Sequence, residues 1–136
     1  MDTIQGFMFK QSGVFLASAI IIYREPNGTI WHAQVRSQQY SKGDVVAYIV
    51  ATIPVGSEMR FKVNVVWGRD KTAHETFEQG YDWHWSYGMA GGHSKTEIMA
   101  CYRITGTTLF NTLHFDGLKT YDEALKHFNV NAPYRG

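Results

Sequence analysis

The sequence has almost no cysteine and few charges. Cys101 is the one cysteine among 136 residues, so no intramolecular disulfide can stabilise the fold. No apolar run is long enough to cross a membrane as a helix, and residues 1–10 lack the basic and apolar regions of a signal peptide. The formal net charge of +1 gives no overall attraction to nucleic acid. We therefore expect one domain, residues 1–136, made in the cytoplasm and without a nucleic-acid partner.

Motifs for catalysis and for metal binding are also missing. The chain contains no G-x-S-x-G, no phosphate-binding loop and no dinucleotide fingerprint. Its six histidines lack the i, i+4 helical spacing of a metalloprotease, and no C-x-x-C accompanies them. Cys101 lies inside a strand-like run, where a small buried apolar residue is the simplest interpretation. We expect no enzyme activity, no metal site and no cofactor.

The composition instead favours an all-β fold. Aromatic residues make up 15% of the chain, charged residues only 18%, and 13 glycines are scattered along it. Short strand-like runs alternate with turn sequences such as EPNGT, SKGD and VGSE. The predicted strands are 14–24, 29–36, 45–53, 59–67, 96–105 and 109–115, with a short one possible at ETFEQGY. This spacing predicts an antiparallel β-sandwich.

Two strands show strict alternation of apolar side chains. In 59–67 the residues predicted to face the core are Met59, Phe61, Val63, Val65 and Trp67. In 96–105 they are Ile98, Ala100, Tyr102 and Ile104. The end of the chain differs, because Thr120 and Glu123 have capping-box spacing and Tyr121, Leu125 and Phe128 follow at helical intervals. We therefore predict one short helix, residues 120–129, docked on the sheet.

The stretch YDWHWSY places four aromatic residues at every second position. An extended chain would project Tyr81, Trp83, Trp85 and Tyr87 from one face. They could fill the core, lie at a lipid headgroup region as Trp and Tyr prefer, or stack on sugar rings. In the carbohydrate-binding (lectin-like) alternative, Trp83 and Trp85 stack on the sugar. Asp82, His84 and Asn111 then supply hydrogen bonds.

The string TGTTLFNTL, residues 105–113, is predicted to begin where strand 96–105 ends. Thr107 and Thr108 offer hydroxyls, and Leu109 and Phe110 offer apolar bulk without a nearby charge. At the end of a β-domain this combination suits a lipid interface, where the apolar pair inserts and a hydroxyl meets a polar group. Burying Leu109 would contribute about 2 kcal/mol. One such loop binds weakly, so several loops or several copies would be needed.

The order of these landmarks resembles the C-terminal membrane-recognising domain of the cholesterol-dependent (thiol-activated) cytolysins. The likeness runs over residues 13–115, through GVFLASAIIIY, GTIWHAQ, VATIPVGSEMRFKV and YRITGTTLFNTL. Gly106-Thr107-Thr108-Leu109 is its most specific part. In that family the Thr-Leu pair of this loop recognises membrane cholesterol. The resemblance therefore implies that Thr108 and Leu109 contact lipid, with Phe110 beside them. The residues expected on neighbouring contact loops are Trp67, Trp83, Trp85, Tyr87 and Met89.

The chain also departs from the family. Where the family has a Trp-rich undecapeptide, this sequence has VVWGRDKTAH with Trp67 alone, and DWHWSYG comes later. A chain of 136 residues has no room for the family's membrane-inserting hairpins. The resemblance thus implies a stand-alone binding module, comparable to small aegerolysin-type proteins that bind a membrane lipid and recruit a larger pore-forming partner. Some binary insecticidal toxins have this form. Such a module would act outside the producing cell, on a lipid, with a sterol possible, or on a glycan.

Overall fold

The computed structural model describes residues 1–82 and 94–136. Its elements, in chain order, are β1 (Asp2–Ile4), β2 (Gly6–Gln11), β3 (Ala17–Arg24), β4 (Trp31–Tyr40), β5 (Val45–Ile49), β6 (Glu58–Val65), β7 (Lys71–Thr72), β8 (Phe77–Gln79), β9 (Ile98–Gly106), β10 (Asn111–Thr120), α1 (Tyr121–His127) and β11 (Tyr134–Arg135). Within these residues, no helix combines the length and the apolar character that crossing a membrane requires.

The strands form two sheets that enclose the core. Sheet 1 has the order β1-β8-β6-β3-β4, with β7 also paired to β6, and sheet 2 has the order β10-β9-β2-β5-β11. The predicted β-sandwich with a short C-terminal helix is confirmed. Its sheets are mixed rather than purely antiparallel, because β1 with β8, β2 with β9 and β5 with β11 are parallel pairs. That residues 1–136 form a single domain stays a prediction.

Aromatic rings from both sheets meet in the centre of the core. Phe61 of β6 is fully buried. Its ring centroid lies 4.9 Å from that of Tyr102, 5.2 Å from Phe7 and 5.6 Å from Phe9. Apart from Trp67, the residues predicted to face the core do so in both strands. They are Met59, Phe61, Val63 and Val65 in β6 and Ala100, Tyr102 and Ile104 in β9, with Ile98 half-buried against the same core. Trp67 was wrongly assigned to this face, because β6 ends at Val65 and the Trp67 side chain is 93% exposed.

Strand β2 was not predicted, although it lies in the middle of sheet 2. Phe7 and Phe9 point into the central core, whereas Met8 points to the other face of the sheet. A strand that is buried on both faces reads as a continuous apolar run, so it lacks the alternation that marks a half-buried strand.

Helix α1 covers that other face of sheet 2. The Oγ1 of Thr120 accepts a hydrogen bond from the Glu123 amide, and the Glu123 carboxylate accepts one from the Thr120 amide, which confirms the predicted capping box. Ala124 and Phe128 then pack on Met8, Met99 and Cys101, among others. Cys101 is fully buried, and burial raises the pKa of its thiol to about 12. It is thus the small apolar residue that was predicted, and its thiol is protonated at neutral pH.

Several predicted strands have the wrong ends. Strand 14–24 begins only at Ala17, strand 59–67 ends at Val65, and strand 109–115 begins at Asn111 and continues to Thr120. The apolar residues that were wrongly included in these strands, Val14, Leu16, Trp67, Leu109 and Phe110, are exposed in loops. These loops all lie at one end of the sandwich.

Candidate functional site: an apolar tip

Three loops come together at the end of the sandwich where β2, β6 and β9 finish. They connect β2 to β3 (residues 12–16), β6 to β7 (66–70) and β9 to β10 (107–110). We call these three loops together the tip. The Val14 amide donates to the Gly106 carbonyl over 2.9 Å, and the Val66 amide donates to the Leu16 carbonyl over 3.0 Å. Backbone hydrogen bonds therefore join the first loop to the end of β9 and to the loop that follows β6.

The tip carries the three most exposed large apolar side chains of the described residues. Trp67 is 93% exposed, Phe110 82% and Leu109 77%. Val14 and Leu16 on the third loop are exposed as well. Isolated apolar side chains are common on protein surfaces, whereas a contiguous apolar group often marks a binding surface. The tip presents five exposed apolar side chains at one end of the sandwich, on loops that backbone contacts join to one another.

The loop between β9 and β10 is held by its own hydrogen bonds. The Thr107 amide donates to the Phe110 carbonyl over 2.8 Å, and the Thr107 Oγ1 accepts from the Phe110 amide over 3.2 Å. The Asn111 side-chain amide donates to the Thr108 carbonyl over 3.2 Å. The backbone is thus fixed while Leu109 and Phe110 project into solvent, so binding through them requires little further ordering.

Trp67 is presented by a strained turn. Its φ is 66°, in the left-handed region that bulky residues rarely adopt, and the following Gly68 amide donates to the Val65 carbonyl over 3.0 Å. A Cβ on Gly68 would lie 2.4 Å from the Thr108 carbonyl oxygen. Only glycine therefore lets this turn approach the loop that bears Leu109. Strain of this kind is typical of functional surfaces and costs about 1–3 kcal/mol.

Substituting Gly106 by Ala is expected to disrupt this loop. Gly106 has a φ of +104°, and an added Cβ would lie 2.1 Å from the Phe110 carbonyl oxygen. Gly117 is a matched control, with a φ of +99° and nothing within 4 Å of its Cβ position. Gly106→Ala should lower the free energy of unfolding by about 1–3 kcal/mol more than Gly117→Ala, measured by urea denaturation. Equal losses would mean that the close contact at Gly106 has no consequence.

The structure brings together four of the eight residues predicted for lipid contact. Trp67, Thr108, Leu109 and Phe110 all belong to the tip. The other four, Trp83, Trp85, Tyr87 and Met89, lie outside the described residues. Tyr81, predicted on the same face as these aromatics, is a core residue and only 1% exposed. The nearest described neighbours, Asp82 and Ser94, follow β8 and precede β9, at the end of the sandwich opposite to the tip.

The described residues of the predicted sugar site are not brought together. Asn111 lies beside the tip, where its side-chain amide holds the 107–110 loop, whereas Asp82 lies near the opposite end of the sandwich. The other members, Trp83, His84 and Trp85, are outside the described residues. This separation argues against a site that combines Asp82 with Asn111. In the part of the chain that the structure describes, no three His, Cys, Asp or Glu side chains form a possible metal site.

Sequence reasoning missed the contribution of the first loop. Val14 and Leu16 were predicted to begin a buried strand, because GVFLASAIIIY is uniformly apolar. In the structure Val14 is 66% exposed and forms a bridge with Thr107. The turn residues Ser12 and Gly13 before them were the one available sign of a loop. The contact with residue 107 has no signal in the sequence.

Comparison with known proteins gives distant similarities of fold alone. No protein-family model matches the chain, and no curated protein is similar to it in sequence. A solved structure of pneumolysin aligns with a TM-score of 0.42 and 13% identity, over 87% of this chain and 24% of that one. A structure described as a trapped toxin aligns with a TM-score of 0.39 and 10% identity, over 85% and 23%. This chain thus spans about a quarter of either protein.

Proposed function

We propose that this protein is a membrane-lipid-binding module that inserts its tip into the interface of a bilayer. The observation that supports the proposal is the clustering of Trp67, Leu109 and Phe110, the most exposed large apolar side chains described, on two loops in contact. Side chains of this kind lose contact with water when the tip enters a lipid interface, and Trp has a particular preference for that region.

The expected binding energy is moderate. Full burial of a Leu or Phe side chain contributes about 1.5–3 kcal/mol, so three large side chains contribute roughly 4–9 kcal/mol at most. The loss of translational and rotational freedom on binding opposes this gain by about 4–15 kcal/mol. A single tip therefore binds weakly. Several copies on one membrane would bind much more tightly, because each further contact is intramolecular.

Thr108 supplies a polar group beside the apolar ones. Thr107 uses its hydroxyl within the loop, whereas the half-buried Thr108 hydroxyl makes no hydrogen bond to the described residues. Because none of the described residues competes for it, this hydroxyl would bond a lipid hydroxyl or headgroup while Leu109 inserts. This arrangement fits the role that the resemblance to cholesterol-dependent cytolysins implies for Thr108 and Leu109, and a sterol is included among the proposed lipids.

We further propose that the module is the targeting component of a two-component cytolysin or insecticidal toxin. The support is the sequence resemblance. A module that binds lipid at one end leaves its other surfaces available to a larger pore-forming protein. It would then act at the membrane of a target cell.

Sedimentation with liposomes tests the membrane-binding proposal. Purified protein is centrifuged with vesicles of phosphatidylcholine, of phosphatidylcholine with cholesterol, and of phosphatidylglycerol, and without lipid. The expected result is that the protein pellets with at least one of the vesicle types and stays in solution without lipid. If all of the protein remains in the supernatant with every composition, the proposal is wrong.

A further inference from the structure

A cleft opens beside the tip, where the edges of the two sheets separate between β7 and β10. Its volume is about 250 Å³. The residues that line it include Lys71, His74, Glu75, Tyr102, Asn111 and Phe115. Asn111 both lines this cleft and holds the loop that presents Leu109 and Phe110. The cleft therefore begins directly behind the inserted side chains of the proposed membrane contact.

The cleft contains opposite charges that form no ion pair with the described residues. Lys71 and Glu75 both line it, yet neither forms an ion pair with any residue in 1–82 or 94–136. The adjacent pair, Lys62 with Asp70 at 3.5 Å, leaves Lys71 unmatched. A ligand with a negative and a positive group would match both side chains at once.

Glu75 is held in place beside an aromatic ring. Its Oε1 accepts a hydrogen bond from the Tyr102 hydroxyl over 3.0 Å. The Phe115 ring, 38% exposed, lies with its centroid 5.1 Å from that of Tyr102. A cationic amine is attracted both by a carboxylate and by an aromatic face. This side of the cleft thus suits an ammonium group, and Lys71 suits a phosphate.

We propose that this cleft binds a zwitterionic headgroup, a phosphate diester that carries a choline or an ethanolamine. Lys71 contacts the phosphate, and Glu75 and Phe115 contact the amine. The orientation toward the bilayer rests on the proposed function, since insertion of Leu109 and Phe110 places the cleft at headgroup depth. An uncharged sugar would leave Lys71 and Glu75 unmatched, and a purely anionic headgroup would be repelled by Glu75.

Two measurements test the headgroup site separately from membrane insertion. In the first, phosphocholine or phosphoethanolamine, free in solution, is titrated into ¹⁵N-labelled protein. Amide shifts at 71–75 and 111–115 are expected, with little change from inorganic phosphate. In the second, vesicles of phosphatidylcholine or phosphatidylethanolamine are compared with phosphatidylglycerol vesicles. Wild-type protein should prefer the zwitterionic lipids.

Charge-neutral variants give the decisive comparison. Glu75→Gln removes the charge but keeps an acceptor for the Tyr102 hydroxyl. Either Glu75→Gln or Lys71→Met should weaken binding of the free headgroup about tenfold, because each removes one charge-assisted contact. Glu78→Gln and Lys95→Met, outside the cleft, are the matched controls. Headgroup shifts elsewhere, equal effects of the controls, or preference for phosphatidylglycerol would overturn the proposal. Shifts in the cleft without vesicle binding would support it and overturn membrane insertion. Vesicle binding without amide shifts in the cleft would support membrane insertion and overturn the headgroup site.

Discussion

Substituting both Leu109 and Phe110 by Ser is expected to weaken binding to vesicles by at least about 100-fold. Each side chain contributes about 1.5–3 kcal/mol when it is removed from water, and each 1.4 kcal/mol changes affinity tenfold. The two side chains are 77% and 82% exposed and hold no part of the core, so the variant should fold normally. Titration of vesicles into a fixed amount of protein gives the two dissociation constants.

The control for this variant removes two other exposed apolar side chains elsewhere. Ile30, just before β4, is 69% exposed, and Val35, within β4, is 65% exposed. Both lie away from the tip. Substituting both by Ser changes the general hydrophobicity of the surface by a similar amount. Affinity should stay within about twofold of the wild type, on the order of 0.4 kcal/mol. If the Ile30 and Val35 variant loses as much binding as the tip variant, nonspecific hydrophobic adsorption explains the result.

Substituting Phe61 by Ala is expected to cause the largest loss of stability. The Phe61 ring is fully buried and has four aromatic neighbours, Phe7, Phe9, Tyr48 and Tyr102. Phe→Ala in a packed core costs about 3–5 kcal/mol, because the transfer energy is lost and a cavity remains. Urea denaturation at equilibrium measures the change in the free energy of unfolding.

Phe110→Ala is the matched comparison, because it removes the same group from an exposed position. It should change the free energy of unfolding by less than about 0.5 kcal/mol while weakening vesicle binding. Core and tip would then contribute separately to stability and to binding. Similar losses of stability in the two variants would show that Phe110 packs as a core residue.

Local patterns predicted the half-buried elements of the fold. The alternation of Met59, Phe61, Val63 and Val65 identified β6, and the capping box of Thr120 with Glu123 identified α1. In both cases one face meets the core and the other meets solvent, so the sequence itself shows the period. The β3–β4 hairpin followed from the EPNGT turn between them.

Features set by contacts between distant residues could not be predicted in this way. Strand β2 is covered on both faces, and its parallel pairing with β9 joins residues more than 90 positions apart. Trp67 continues the alternation of β6, but the strand ends two residues earlier, where the Val66 amide bonds the Leu16 carbonyl. Alternation in the sequence shows which face of a strand is buried, whereas hydrogen bonds to distant residues determine where the strand ends.

The tip was predicted in part. Residue type suggested Leu109 and Phe110, as an apolar pair following the glycine at which the strand was predicted to end. It was the resemblance to the cytolysins that singled out Thr108 from the two threonines beside them. The contribution of Val14 and Leu16, and the approach of Gly68 to Thr108, depend on how the two sheets are aligned. The cleft with Lys71 and Glu75 likewise forms only because β7 of sheet 1 and β10 of sheet 2 lie near each other. No local pattern contains that information.

The most direct measurement of membrane insertion is the fluorescence of Trp67. A variant with Trp31, Trp83 and Trp85 replaced by Phe retains Trp67 as its single tryptophan. On addition of vesicles its emission should shift to the blue, and lipids brominated on the acyl chains should quench it. Emission that stays at the wavelength of exposed tryptophan and is unaffected by brominated lipid, while the protein is bound to the vesicles, would show that the tip does not enter the bilayer.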